Sequence, residues 1–159
     1  MRALFVGRFQ PFHLGHLHAV KKIVAKYGKV TIAIGSSNVS RTRENPFTYS
    51  QRRKMVLAAL KSEPLLKGKY AIVPLPDLFD DKKWRESVLS KGNFAVVVTG
   101  TAWVARCLKG YLKVERPSFL RRAELNATRI RRFLNTGNTN WKQLVHPSTR
   151  KMVVRQTKG

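Results

Sequence analysis

Two histidines three positions apart, His13 and His16, bracket a glycine, Gly15, where an apolar run gives way to an amphipathic one. The full stretch reads Gly7-Arg8-Phe9-Gln10-Pro11-Phe12-His13-Leu14-Gly15-His16, behind Ala3-Leu4-Phe5-Val6. A turn from strand to helix places free backbone N–H groups and the positive end of a helix dipole at one point, which attracts anions. Two imidazoles and Arg8 add donors there. Gly7 permits close approach of the backbone, and Gly15 keeps the first helical turn bare. A nucleotide polyphosphate is the ligand these groups suit. Metal binding is the poorer reading: the pair lacks a nearby third His, Cys or carboxylate, and His18 points off their face.

The elements that position these residues alternate. Residues 2–7, 29–35, 70–73 and 94–98 read as apolar strands, with a short fifth over 111–115. Helical periodicity covers 14–27, 51–62, 81–90, 102–109 and 125–134, and 141–156 with a break at Pro147. Ser50 and Asn126 are the expected caps of two of these helices, and Asp80 and Asp81 cap a third rather than bind ligand. Such alternation predicts an α/β fold with a doubly wound parallel sheet, Rossmann-like, of about five strands covered by helices on both faces. Ligands then bind beyond the carboxyl ends of the strands, in the loops 7–13, 36–48, 74–80 and 99–101. One domain over residues 1–159 is expected, with 136–159 a C-terminal helical extension.

Composition narrows the class. A hydrophobic fraction of 43% suits a globular chain of 159 residues. No apolar run reaches the roughly 18 residues of a membrane span, and the strand pattern at the N-terminus leads us to expect no signal peptide. The single cysteine, Cys107, sits among apolar neighbours and reads as structural; its isolation fits a reducing cytoplasm. Thirty-two Lys and Arg against 8 Asp and Glu give a net charge of +24. That charge steers anions toward the protein and permits sequence-independent nucleic-acid binding, or is simply solvated over outer faces. An Arg-rich series (Arg116, Arg121, Arg122, Arg129, Arg131, Arg132) supports a nucleic-acid-binding module as the alternative from a different class.

The His13–His16 string resembles the H-x-G-H signature of the nucleotidyltransferase superfamily, and its longer form is similar to the short archaeal type of nicotinamide mononucleotide adenylyltransferase. Gly35-Ser36-Ser37, Arg43-Glu44-Asn45-Pro46-Phe47-Thr48, Pro74-Leu75-Pro76-Asp77, Trp84 and Val98-Thr99-Gly100 extend the resemblance over residues 2–135. Asn126-Ala127-Thr128-Arg129-Ile130-Arg131 stands where the family carries a hydroxyl-rich helix start followed by arginine. Here Thr128 and Arg131 are kept, the first hydroxyl is replaced by Asn126, and Arg129 adds a charge that could offset the loss.

The resemblance implies adenylyl transfer from ATP to the mononucleotide, giving NAD+ and pyrophosphate, with no covalent enzyme intermediate. It implies His13, His16 and Arg131 as catalytic residues. Gly7, Arg8, Phe9, Gly15, Gly100, Asn126, Thr128 and Arg129 are then expected at ATP, and Arg43, Asp77 and Trp84 at the mononucleotide. Trp84 either stacks on the pyridinium ring or belongs to the core. Magnesium is expected to arrive on the ATP phosphates, with no metal bound by the protein itself, and a homo-oligomer, such as a hexamer, is implied. Phosphopantetheine adenylyltransferase lacks the G-R-F-Q-P-F lead, and cytidylyltransferases and flavin-adenylating enzymes carry F-D-x-x-H-x-G-H. Class I tRNA synthetases need a larger chain. Amide and acid mononucleotide both remain open.

Overall fold

The computed structural model describes residues 2–157; positions 158 and 159 of the expected C-terminal extension lie outside the described residues. Five parallel strands run in the order β3-β2-β1-β4-β5: β1 Arg2–Gly7, β2 Val30–Gly35, β3 Tyr70–Leu75, β4 Phe94–Val98 and β5 Lys113–Glu115. Six helices connect and cover them: α1 Leu14–Tyr27, α2 Tyr49–Lys61, α3 Asp81–Leu89, α4 Ala102–Leu108, α5 Ala127–Thr136 and α6 Arg150–Thr157. The chain leaves β1 toward β2 on one side and reaches β4 on the other. A crevice therefore opens between the carboxyl ends of β1 and β4, the switch point where such sheets bind ligands.

Strand alternation sorts side chains to two faces. Ala3, Phe5, Ile32, Ile34, Val96 and Val98 enter one cluster, joined by Val20, Met55, Val56 and Ile130 from α1, α2 and α5. Leu4, Val6, Ala33 and Val97 enter the other, with Trp84, Val88, Val104 and Leu108 from α3 and α4. Both faces are buried, which is why these strands read as nearly continuous apolar runs.

Several boundaries differ from expectation for identifiable reasons. Strand β3 continues through Pro74 to Leu75, paired with Ile34 and Gly35. It is an edge strand, where proline's missing N–H costs no ladder bond. Helix α2 is capped by Thr48, not Ser50. The Thr48 hydroxyl accepts from Gln51 N at 3.1 Å, and the Gln51 side chain accepts from Thr48 N at 2.8 Å. That is a T-x-x-Q capping box. Helix α5 starts after Asn126 and ends at Gly137, whose φ of 72° lies in the left-handed region. Asp80 caps α3 by accepting from Lys83 N. Cys107 is buried in the second cluster.

Beyond α5 the chain forms 3-10 turns at Thr139–Gln143 and Pro147–Thr149 before α6. Trp141, Val145 and Val153 from this stretch are buried in the first core cluster, and Leu144 O accepts from Leu14 N at the start of α1. The segment thus abuts the helix that carries both histidines. Trp141→Ala is expected to destabilise the protein by about 3–5 kcal/mol, read by urea unfolding; a change of a few tenths would mean that the segment packs only loosely.

Candidate active site

His13 is the N-cap of α1, not a residue of its first turn, with extended backbone at φ −130° and ψ 179°. Its Nδ1 accepts from Gly15 N at 3.0 Å, while His16 Nδ1 accepts from His13 N at 3.1 Å. The two side chains thus close a reciprocal capping box of the kind usually built from a hydroxyl and a carboxamide or carboxylate. Their rings stack, with centroids 3.6 Å apart and planes at 27°. Phe12 stacks on His16 at 5.4 Å and Phe9 meets it edge-on at 4.8 Å.

Gly15 is explained by this box. A Cβ there would lie 2.8 Å from His13 Cε1 and 3.0 Å from Nδ1. The bare turn admits the His13 ring and still leaves Gly15 on the wall of the cavity described below. Gly7 is required in the same way: a Cβ would lie 2.8 Å from two Phe9 ring carbons.

The hydrogen bonds settle the protonation chemistry. Each Nδ1 accepts a backbone N–H, so the proton of each neutral ring sits on Nε2. Burial pushes the His13 imidazole down to about 4, and burial plus the facing His13 ring hold His16 well below the ordinary imidazole range. Both rings are therefore neutral at pH 7. Among the described residues no buried side-chain nitrogen or oxygen lacks a partner. Among the described residues neither Nε2 has a hydrogen-bond partner, so both keep access to the cavity that His13 and His16 line.

That cavity, about 330 Å³, lies at the β1–β4 crevice. Gly7, Arg8, Phe9, Gly15, Gly100, Asn126 and Thr128 line it with the histidines and Arg131. Arg131 donates to Gln10 O at 2.8 Å and to the Thr128 hydroxyl at 3.3 Å. Burial and the Arg8 charge push its guanidinium below the ordinary value, with Glu44 opposing. The Asn126 side chain is spent on the helix: Oδ1 accepts from Arg129 N, and Nδ2 donates to the carbonyls of Arg122 and Ala123. It holds the start of α5, whose free N–H groups face outward along the axis.

Arg129 is not brought to the cavity. Its guanidinium lies over the Phe133 ring at 5.0 Å and donates to Glu124 O, because two positions on a helix point to nearly opposite sides. The offset expected from this charge is therefore absent from the cavity wall. Arg43, Asp77 and Trp84 are not gathered either. Arg43 lines an adjoining basic groove of about 560 Å³ with Arg8, Glu44, Thr128, Arg131 and Arg132. Asp77 and Trp84 meet at a separate shallow pocket with Phe79 and Trp103. Trp84 is 3% exposed and tilted against Trp103, ring centroids 4.6 Å apart, so it belongs to the core while showing an edge to that pocket. Asp77 Oδ1 accepts from the Ser36 hydroxyl at 3.0 Å.

Sequence reasoning passed over Gln10, Arg52, Trp103 and Phe119. Gln10 exchanges two hydrogen bonds with the Phe47 backbone, tying the β1 loop to the β2 loop. Phe119, with Arg122 over its ring at 4.4 Å, closes the outer wall of the cavity; Arg122 had registered only as charge. Among the described residues no group of three or more His, Cys, Asp or Glu side chains could hold a metal ion, and no helix is long and apolar enough to cross a membrane.

A sheet of this order with a histidine-lined cavity at its switch point is the architecture of a nucleotidyltransferase-like domain. Residues 4–133 match the profile of the cytidylyltransferase-like family, and the chain belongs to that family. Within it, the chain stands with the archaeal nicotinamide-nucleotide adenylyltransferases. It is 40% identical to the Thermococcus kodakarensis enzyme of that name over 161 aligned positions, covering 99% of this chain and 84% of the relative. It is 38% identical to nicotinamide-nucleotide adenylyltransferase 1 of Sulfolobus acidocaldarius, covering 100% and 91%. Among solved structures, a bifunctional NMN adenylyltransferase/ADP ribose pyrophosphatase from Francisella tularensis, complexed with AMP and a manganese ion, superposes with a TM-score of 0.75 at 26% identity. The match covers 98% of this chain, which spans 50% of that bifunctional protein.

The site predicts a pH signature. An unfolded histidine takes its proton near pH 6.5, whereas folded His13 takes it only near 4. As pH falls through that window the unfolded chain gains protons first, so stability present above 6.5 is lost toward 4. His13→Asn keeps a capping oxygen and should flatten that part of the decline, measured as the urea midpoint against pH. Nitrogen-15 NMR of the wild type at pH 7 should show both rings neutral with the proton on Nε2; an Nδ1–H signal from either ring would contradict the capping box.

Proposed function

We propose that the protein transfers the adenylyl group of ATP to nicotinamide mononucleotide, releasing pyrophosphate and forming NAD+. The observation that carries this reading is the pair of neutral imidazoles, each with its Nε2–H open to a cavity at the sheet's switch point. Family membership supplies the substrates; the chain's own residues supply a rationale for the step. The mononucleotide phosphate oxygen forms the new bond to the α-phosphorus, the bond to the bridging oxygen breaks, and pyrophosphate takes the electron pair. No enzyme nucleophile is needed, so alignment and charge stabilisation are the whole task.

In this reading His16 donates to the α-phosphate and His13 to the triphosphate. Neutral donors suit this work: they bind phosphate oxygens without a charge that must be desolvated first. Arg8 and Arg131 neutralise the β- and γ-phosphates, and Thr128 with the N–H groups opening α5 receives the leaving pyrophosphate. Asn126 acts through that helix start. Arg43 extends the anion-binding surface into the adjoining groove, and Asp77 with the Trp84 edge forms the mononucleotide end. The groups around the cavity are donors rather than metal ligands, so a divalent ion, magnesium in the cell, is carried by the triphosphate oxygens and water.

We further infer a single domain over 1–159, a homo-oligomer, and residence in the cytoplasm. The +24 charge also favours weak, sequence-independent nucleic-acid binding as a second property, whose log affinity should fall steeply with log salt.

Incubation with ATP, magnesium and equal amounts of the amide and acid mononucleotides tests the reading: dinucleotide and pyrophosphate should appear in equal yield, and absence of both overturns it. His16→Ala should lower kcat by about 10²-fold or more at unchanged fold. Arg131→Lys should also lose turnover, because a single ammonium cannot span Gln10 O, the Thr128 hydroxyl and a phosphate as a planar fork does.

A further inference from the structure

Arg52 is 0% exposed, the largest fully enclosed side chain among the described residues. It lies on the inner face of α2, beside Met55 and Val56. Its partners are all carbonyls: Nη1 donates to Arg8 O at 2.8 Å and Gly35 O at 2.7 Å, Nη2 to Ser36 O at 3.0 Å, and Nε to Thr48 O at 3.3 Å. Among the described residues no carboxylate pairs with it within salt-bridge distance. Burial, together with the Arg8 charge, pushes the guanidinium down to about 10, so it stays protonated at neutral pH.

A buried cation with no carboxylate in direct contact, Asp77 acting on it only from longer range, is an expensive way to fill a core position, and an apolar side chain of similar volume commonly serves stability as well or better. What distinguishes this arginine is where its bonds go. Arg8 belongs to the loop after β1 and lines both the histidine cavity and the basic groove. Gly35 ends β2 and Ser36 opens the loop after it. Ser36 has φ 48°, a conformation that non-glycine residues adopt rarely, and it donates to Asp77 beyond β3. Asn38 completes that link by exchanging hydrogen bonds with the Asp77 backbone. A planar group with five fixed donors can hold carbonyls of two loops in one plane; an ammonium cannot.

We propose that Arg52 is a positioning residue for adenylyl transfer: by clamping the carbonyls of Arg8, Gly35 and Ser36 it fixes the separation between the loop that carries the ATP-side arginine and the loop that anchors Asp77 at the mononucleotide end. This rests on the adenylyltransferase reading above. The clamp touches neither substrate. It acts by setting the distance at which the two reactants' phosphates meet, where a misplacement of about 1 Å can cost roughly 10²-fold in rate.

The test compares wild type, Arg52→Lys and Arg52→Ala at a temperature where circular dichroism shows each folded, Arg52→Lys serving alone if Arg52→Ala does not fold. Dinucleotide formation gives kcat and both KM values, and calorimetry gives the affinity for ATP alone. Arg52→Lys should bind ATP nearly as wild type yet lose about 10²-fold in kcat. In Arg52→Ala, millimolar guanidinium ion should restore part of kcat without shifting the unfolding midpoint. Wild-type turnover in folded Arg52→Lys overturns the positioning role alone. Loss confined to ATP affinity, or a kcat that follows only the folded fraction, also overturns it. A wild type that forms no dinucleotide overturns the underlying reading instead.

Discussion

The reciprocal cap between His13 and His16 is the contact on which the rest of the site depends. It satisfies two N–H groups at the start of α1 and, in doing so, occupies the Nδ1 atom of both rings. That occupancy sets the tautomer and leaves both Nε2–H groups for the cavity, while burial keeps the rings neutral. Three further residues are constrained by it: Gly15, because a side chain would strike the His13 ring, and Phe9 and Phe12, which wall His16. The two hydrogen bonds that satisfy a helix end thus also fix how two ring donors are oriented.

Around this cap the loops are held by polar links rather than apolar packing alone. Gln10 binds the Phe47 backbone, Arg131 binds Gln10 O, and Arg52 binds Arg8, Gly35 and Ser36. Each joins residues distant in sequence at the carboxyl ends of the strands. Directional bonds fix separations better than hydrophobic contact, which tolerates sliding. The cost is buried charge and buried amide, which is acceptable only because their donors find acceptors. The excess positive charge over the whole chain then acts at longer range, drawing anionic substrates toward a cavity whose innermost groups are neutral.

Much of this architecture was legible in the residues. The β1–α1 unit, the five-strand parallel sheet and Asn126 as a cap all follow from periodicity and capping rules, since those are local signals. The misplacements have equally local causes. Ser50 looked like the start of α2, but Thr48 with Gln51 forms the better cap. Pro74 looked like a strand end, yet at a sheet edge it is tolerated. Tertiary facts were less accessible. In the sequence Trp84 is open between ring stacking and the core, and what decides for the core is its packing with Val88 and with Leu4, Val97 and Leu108 from other elements, which position 84 alone does not reveal. Arg129 and Arg131 look alike as residues, and helical phase separates them. Arg52 reads as one member of the basic run Arg52-Arg53-Lys54; its spacing from Met55 and Val56 places it on the buried face, but only the carbonyls waiting there explain why a charge belongs in it.

The central claim is that His13 and His16 meet ATP as neutral Nε2–H donors at the β1–β4 crevice. A crystal structure with the non-reactive analogue in which methylene bridges the α- and β-phosphates tests it most directly. The account predicts an α-phosphate oxygen about 2.7–3.2 Å from His16 Nε2, with the terminal phosphates between Arg8, Arg131 and the start of α5. A triphosphate seated instead in the groove lined by Arg43 and Arg132, with both Nε2 atoms left without a phosphate partner, would contradict it.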